Sequence, residues 1–195
     1  KELELLRDCK FAVRIPHPKQ EVYVVQAEAS FDLFTISLDE SWVFFENVFP
    51  TLKTLPQQER NNIFKEYMIK FGLVVSYYLT MKLWGTVQQK VMSSVVTCYD
   101  NELPIDFYYP EKHNNQEVFE STVYSYNDEH SALFLPQFSK SQLNEKEYHA
   151  LTALVLTEYD SPISEEAQLI LDDIRQEILN NLQSYYRKEM GLNDI

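Results

Sequence analysis

Two prolines interrupt a long stretch of helical periodicity, and they constrain the fold more than any other feature of the sequence. The stretch is VFPTLKTLPQQERNNIFKEY, residues 48–67, with Pro50 and Pro56 inside it. Apolar residues recur at helical spacing on both sides. Because proline lacks an amide donor and tends to end or kink a helix, the pattern predicts two helices joined by a sharp bend.

The helix before the bend is predicted to begin at Ser30 as its N-cap and to stop at Pro50. Its apolar residues follow at steps of three or four, which keeps one face turned inward. They are Phe31, Phe34, Leu38, Trp42, Phe45 and Phe49. The helix after the bend is predicted over about residues 57–83. Its segment 71–79 is apolar on nearly every side, which predicts a central helix covered by other layers.

Shorter elements are predicted around these two helices. Leu3, Leu6 and Val13 form the apolar side of a short N-terminal helix, which ends in the turn-forming segment 13–19. The next segment, EVYVVQAEAS, fits either a strand or a helix.

After the second long helix the sequence changes character. Residues 91–100 and 103–110 are rich in β-branched and aromatic residues around the turn cluster DNE, which predicts a small β hairpin. A weak helical pattern follows over residues 114–135.

The C-terminal third has the clearest helix boundaries. Asn144 and Glu147 form a capping box for one helix, which the segment EYDSPIS breaks. Ser164 is predicted to cap a longer helix that stops at Gly191.

Composition narrows the classes of function. Three glycines in 195 residues exclude a P-loop, a Rossmann fingerprint and most turn-rich all-β folds. A net charge of −13 would repel phosphate backbones, so we expect no nucleic acid to bind this segment. The two cysteines form no disulfide framework, and the longest apolar run is too short for a membrane span. We therefore expect a soluble intracellular chain with no membrane contact.

Catalytic and metal-binding motifs are missing from the sequence. The four histidines occur singly, without partners at metal-ligand spacing. Acidic pairs such as Asp172 and Asp173 fall on polar helix faces, where they are solvated rather than catalytic. We predict no enzyme activity, no cofactor and no metal site. The helical core can either pack solid or enclose an apolar cavity.

The bend and the C-terminal third resemble the ligand-binding domains of nuclear hormone receptors, and the divergent nematode members in particular. In that family the third helix ends at a bend, which a pattern F-x-x-L-x-x-x-D-Q-x-x-L-L-K follows. The residues in those places are Leu52, Leu55, Glu59, Arg60, Ile63, Phe64 and Lys65. Residues 147–186 resemble the eighth and ninth helices of the family, and the whole resemblance covers roughly residues 28–190.

The resemblance implies an all-α, three-layer helical sandwich with a small β hairpin, as a single domain over residues 1–195. It implies a ligand-regulated transcription factor of the nucleus that binds a small lipophilic molecule and coregulator proteins. DNA binding, zinc and the last helices, which form dimers in the family, would belong to the longer protein. The segment alone is expected to be an incomplete folding unit.

The resemblance also implies two sites around the bend. Inner helix faces would line a ligand pocket, and outer faces would form a groove for a coregulator helix. The pocket residues would be Phe34, Thr35, Leu38, Gly72, Ser76 and Leu79. The groove residues would be Val43, Asn47, Arg60, Phe64 and Lys65.

Two positions depart from the pattern of many relatives. Asn47 stands where they have a lysine that clamps a coactivator helix, whereas Lys65 keeps a charge near the second basic position. Leu79 stands where many relatives have an arginine that binds a carboxylate or ketone of the ligand. A neutral ligand, or none, is therefore expected. The alternative is a helical scaffold or protein-interaction domain with a filled core, and a lipid-metabolising or glutathione-transferase-like enzyme is disfavoured by the missing chemistry.

Overall fold

The structure, a computed structural model, describes residues 1–85, 90–109 and 134–191, with only the backbone of Glu28 and Phe31. The chain divides into two compact units. Unit 1 consists of Lys1–Leu38 and Val75–Gln142, and unit 2 consists of Asp39–Val74 and Leu143–Ile195. The described residues are mostly helical with small β hairpins, which confirms the predicted fold class.

Unit 1 contains both hairpins and parts of the two long helices. Its elements are α1 (Glu2–Arg7), β1 (Ala12–Ile15), β2 (Val22–Val25), the start of α2 (Ala27–Val48), the end of α3 (Gln57–Leu83), β3 (Lys90–Met92), β4 (Cys98–Asp100), α4 (Ile105–Tyr108) and the helical residues 134–141 (α5). Strand β1 pairs antiparallel with β2, and β3 pairs antiparallel with β4. A parallel bridge between Tyr23 and Thr97 connects the two hairpins.

The N-terminal hairpin corrects the prediction of a longer first helix. Helix α1 ends at Arg7, and Val13 lies in β1 opposite Val24. The physical reason is that β-branched residues pack well on a pleated surface, and Pro16 and Pro18 in the connection disfavour a continuing helix. All four residues of β2 are buried, so the ambiguous segment 21–30 is a strand followed by the start of α2.

The second hairpin forms within the predicted region but with different strands. Both β3 and β4 lie within residues 90–100, and the predicted second strand is the short helix α4. The hydroxyl of Ser94 accepts the amides of Val96 and Thr97 and closes the turn early. The hydroxyl of Tyr108 bonds to the amide and the carbonyl of Asp100, which folds α4 back onto β4.

Unit 2 contains the bend and the C-terminal helices. Its elements are the remainder of α2 and α3, the 3₁₀ turns Pro50–Thr54 and Val155–Thr157, α6 (Glu145–Leu154) and α7 (Glu165–Glu189). Helix α2 ends at Val48, Pro50 begins the first 3₁₀ turn, and Pro56 directly precedes α3. The predicted bend and the predicted bounds of α3 are therefore confirmed.

An aromatic cluster holds the two sides of the bend together. Phe45 is fully buried, and its ring lies 5.7 Å from Trp42, 6.0 Å from Phe49, 5.3 Å from Phe64 and 5.8 Å from Tyr67. Aromatic pairs at these centroid distances attract one another beyond their burial.

The predicted caps of the C-terminal helices are confirmed. The side chain of Asn144 accepts the amide of Glu147 at 3.1 Å, and the Glu147 carboxylate accepts the amide of Asn144 at 2.9 Å. The hydroxyl of Ser164 accepts the amide of Ala167 at 3.1 Å. Gly191 has a φ of 68°, the left-handed conformation that suits a helix stop.

The apolar stripe of α2 is correct only in its second half. Phe45 and Phe49 are buried, but Phe34 is 62% exposed, and Ala29 and Leu33 are buried instead. The first half of α2 packs against a cluster with Leu6, Tyr23, Val25 and Val96, which turns a neighbouring face inward.

Two further sequence predictions concern other parts of the chain. The side chain of Phe31 and the weak helical pattern up to residue 133 lie outside the described residues. None of the helices in the described ranges combines the length and the apolar character that a membrane span needs.

Candidate functional site

The predicted groove residues lie in unit 2, on both sides of the bend. Val43 is 58% exposed, and Asn47, one turn later on α2, is exposed as well. Lys65 on α3 is exposed, whereas Phe64 is buried with its ring edge against Trp42 at 4.7 Å. Val43, Asn47 and Lys65 are thus accessible to a partner, and Phe64 supports the surface from within. The groove stays a prediction.

Arg60 has a different environment from the other groove residues. Its Nη1 contacts the Glu46 carboxylate at 2.6 Å, and its second terminal nitrogen donates to the side chain of Gln57. Because Glu46 lies on α2 and Arg60 on α3, this ion pair joins the two helices across the bend. Its first role is therefore structural.

Sequence reasoning missed two apolar residues of this surface. Phe44 is 47% exposed, and Val48, one turn later, is also exposed. We call the four α2 residues Val43, Phe44, Asn47 and Val48 the bend surface. The sequence does contain a sign of this exposed surface. Three apolar residues of α2 lie outside its buried stripe, namely Val43, Phe44 and Val48.

The predicted pocket residues do not share one environment. Phe34 and Thr35 are exposed, and Leu38 is half-buried. Gly72 lies in unit 2 and is exposed, with no atom within 4 Å of the place where a Cβ would stand. The remaining two, Ser76 and Leu79, lie on the part of α3 that belongs to unit 1.

Ser76 and Leu79 lie where α3 is fastened to strand β3. The Ser76 hydroxyl donates to the carbonyl of Met92, and the hydroxyl of buried Thr80 accepts the Met92 amide at 2.8 Å. Leu79 packs against a buried cluster, which consists of Val22, Val24, Met92, Cys98 and Tyr108. The chain's own side chains therefore occupy the space next to these two residues, and the pocket stays a prediction.

The surroundings of Lys90 and Cys98 in unit 1 shift the pKa values of both side chains. The Lys90 Nζ lies 3.0 Å from the carboxylate of Asp100. Burial alone would lower the pKa of Lys90, but the contact with Asp100 outweighs it, and the pKa is raised. Burial raises the pKa of Cys98 to about 12, so its thiol is not a nucleophile near neutral pH. Within the described ranges, no three or more His, Cys, Asp or Glu side chains are grouped so that they could hold a metal ion.

Helix α3 also anchors the loop of residues 158–164, a feature that sequence reasoning missed. The Glu66 carboxylate accepts the amides of Asp160 at 3.0 Å and Ser161 at 3.1 Å, and Glu59 accepts the amide of Ser164 at 2.7 Å. Hydrogen bonds from the Ser161 hydroxyl and from the Asp160 amide hold the pKa of Glu66 below its ordinary value. The sequence shows the seven-residue spacing of the two glutamates, but not the loop that they bind.

Comparison with known proteins identifies one family. A family model described as the ligand-binding domain of nuclear hormone receptor matches residues 16–194, which is most of the chain. No curated protein and no solved structure gives a significant match.

Proposed function

The chain belongs to the family of nuclear hormone receptor ligand-binding domains, and from this membership we propose that it regulates transcription by binding a coregulator helix at the bend surface. The family is generally non-enzymatic and consists of ligand-regulated transcription factors. Location in the nucleus and dimer formation, which the family implies in general, are part of the same proposal.

The exposed apolar face of α2 is the observation that supports this proposal most directly. Val43, Phe44 and Val48 present apolar side chains to water on consecutive turns, next to the exposed amide of Asn47. An amphipathic helix with leucines at helical spacing would cover such a face, since helix-in-groove recognition uses apolar anchors about one turn apart. The exposed ammonium of Lys65 is available to a helix C-terminus, where positive charge is favourable.

A matched pair of variants tests the coregulator surface. Val43 and Val95 are both 58% exposed, but Val95 lies in the β3–β4 turn of unit 1. We expect Val43→Asp to weaken binding of a fluorescent Leu-rich coactivator peptide by about tenfold or more, since a charge would replace a central apolar contact. Val95→Asp should leave the affinity unchanged. Equal affinities of the two variants in an anisotropy titration would contradict the proposal.

The reverse test restores the residue that many relatives have. Asn47→Lys should strengthen binding of the same peptide by roughly fivefold, or about 1 kcal/mol, because the new charge would cap the C-terminus of the peptide helix. Unchanged affinity with an intact fold would mean that a partner does not use this surface in the family manner.

A small hydrophobic ligand is the second part of the proposal. Its pocket would include Ser76 and Leu79, but their contacts with β3 favour the alternative of a filled core with no ligand. Native mass spectrometry of the purified chain distinguishes the two. A lipophilic molecule that copurifies with the wild type and is lost from Leu79→Phe would support the pocket. No such molecule, together with no saturable binding of an anilinonaphthalene dye, would support the filled core.

A further inference from the structure

Ser161 and Pro162 form the one Ser-Pro pair of the sequence, which has no Thr-Pro pair. Both residues are exposed and lie between the 3₁₀ turn Val155–Thr157 and α7, outside regular secondary structure. A proline favours an extended backbone in the residue before it, and an extended segment fits a kinase substrate cleft. We propose that Ser161 is a phosphorylation site for a proline-directed protein kinase, and that the phosphate releases loop 158–164 from α3.

The reaction itself follows ordinary phosphoryl transfer. The Ser161 oxygen attacks the γ-phosphorus of a nucleoside triphosphate, the bond from that phosphorus to the bridging oxygen breaks, and the nucleoside diphosphate leaves. The hydroxyl proton passes to the general base of the kinase. The product is a phosphoserine with nearly two negative charges at neutral pH.

This charge would arise beside a carboxylate that holds the loop in place. Glu66 accepts the Ser161 amide at 3.1 Å and the Asp160 amide at 3.0 Å. Phosphorylation of Ser161 places a dianion next to the Glu66 carboxylate. Phosphate beside an acidic side chain disrupts a structure through repulsion between like charges.

Two cations contact acids of the loop. Lys70 contacts Asp160 at 3.0 Å, and Arg175 contacts Glu158 at 2.5 Å, so each is already paired with an acid of the loop. A phosphate that took either cation would leave that acid without its partner. The weakening of the contact between the loop and α3 is therefore assigned to repulsion between the phosphate and Glu66.

A kinase assay on the full chain tests the site. The wild type and single variants are incubated with a purified proline-directed kinase and ATP, and the modified residue is located by tandem mass spectrometry. We expect phosphate at Ser161 in the wild type and in the control Ser41→Ala, none at position 161 in Ser161→Ala, and a much lower rate in Pro162→Ala. An unmodified Ser161 in the wild type, or an undiminished rate in Pro162→Ala, would overturn the assignment.

Hydrogen exchange of the phosphorylated chain tests the release of the loop. The amides of Asp160 and Ser161 should exchange about tenfold faster after phosphorylation, since they lose charge-assisted hydrogen bonds. The acceleration should be smaller in Glu66→Gln, which keeps an acceptor oxygen but carries no charge. Unchanged exchange in the phosphorylated wild type would overturn the release, and equal acceleration in Glu66→Gln would overturn the role assigned to Glu66.

Discussion

Replacement of Phe45 by alanine should destabilise unit 2 far more than the same replacement at the adjacent Phe44. Phe45 is fully buried and its ring contacts four other aromatic rings, whereas Phe44 is 47% exposed. Removal of a fully buried phenylalanine ring costs about 3–5 kcal/mol, because apolar contacts are lost and a cavity remains. At Phe44, where half of the side chain already faces water, we expect a cost of about 1 kcal/mol.

Urea unfolding of the two variants measures this difference. Trp42 lies 5.7 Å from Phe45, so its fluorescence reports on the cluster, and Trp84→Phe in both variants removes the signal of the second tryptophan. For a chain of this size, the loss at Phe45 corresponds to a fall in Tm of roughly 10 °C, and the loss at Phe44 to a few degrees. Equal losses for the two variants would refute the conclusion that the aromatic cluster holds the bend.

Three further changes test other contacts. Thr80→Val should cost about 1–3 kcal/mol, because the Met92 amide loses its acceptor, whereas Thr152→Val, whose hydroxyl bonds within its own helix, should cost less in the same urea titration. The pKa of Glu66 is lowered in the folded chain, so its hydrogen bonds stabilise the folded state above the ordinary pKa of about 4.3, and this stabilisation is lost as the pH falls through the lowered pKa. In acid unfolding followed by fluorescence, Glu66→Gln should lack this pH-dependent loss. Asn144→Ala should lower the free energy of unfolding by about 1 kcal/mol, and no loss would contradict the capping box.

Several helix ends could be predicted because local signals determine them, although the predicted start of α2 at Ser30 was wrong, since α2 begins at Ala27 and the Ser30 hydroxyl donates to the carbonyl of Gln26. Proline at positions 50 and 56 acts through its own missing amide donor, and the caps at Asn144 and Ser164 act within one turn. Such effects need no knowledge of the rest of the chain. The structure confirms each of them.

The hairpins could not be predicted correctly because specific side-chain contacts outside the strands decide them. The register of β3 against β4 depends on the Ser94 turn and on Tyr108, which bonds back to Asp100. The inward face of the first half of α2 likewise depends on packing against β2 and the β3–β4 turn. Periodicity in a single sequence contains no information about these partners, so it places Phe34 on the buried face although the side chain is exposed.

The candidate groove stays a prediction, and the structure bears only on the exposure of its residues. The resemblance implies Val43 and Asn47 as groove residues, and both are exposed one turn apart on α2. The partner of Arg60 depends on how two helices meet, and the anchoring of loop 158–164 depends on contacts over about 100 positions of sequence, such as 105 between Glu59 and Ser164. These contacts exist only in the folded chain.

Polar side chains help to fix the rotation of α3 in both units. In unit 2 they act together with the buried face of Ile63, Phe64 and Tyr67. In the segment 71–79, which is apolar on nearly every side, about the same burial is gained whichever side faces a neighbour, because hydrophobic contact is not directional. Hydrogen bonds are directional, and α3 makes them to backbone groups at two places. In unit 2, Glu59 and Glu66 bind the amides of loop 158–164, and in unit 1, Ser76 and Thr80 bind the backbone of Met92. The members of each pair lie four or seven residues apart and so share a helix face, which means that a rotation of α3 would break both bonds of a pair at once.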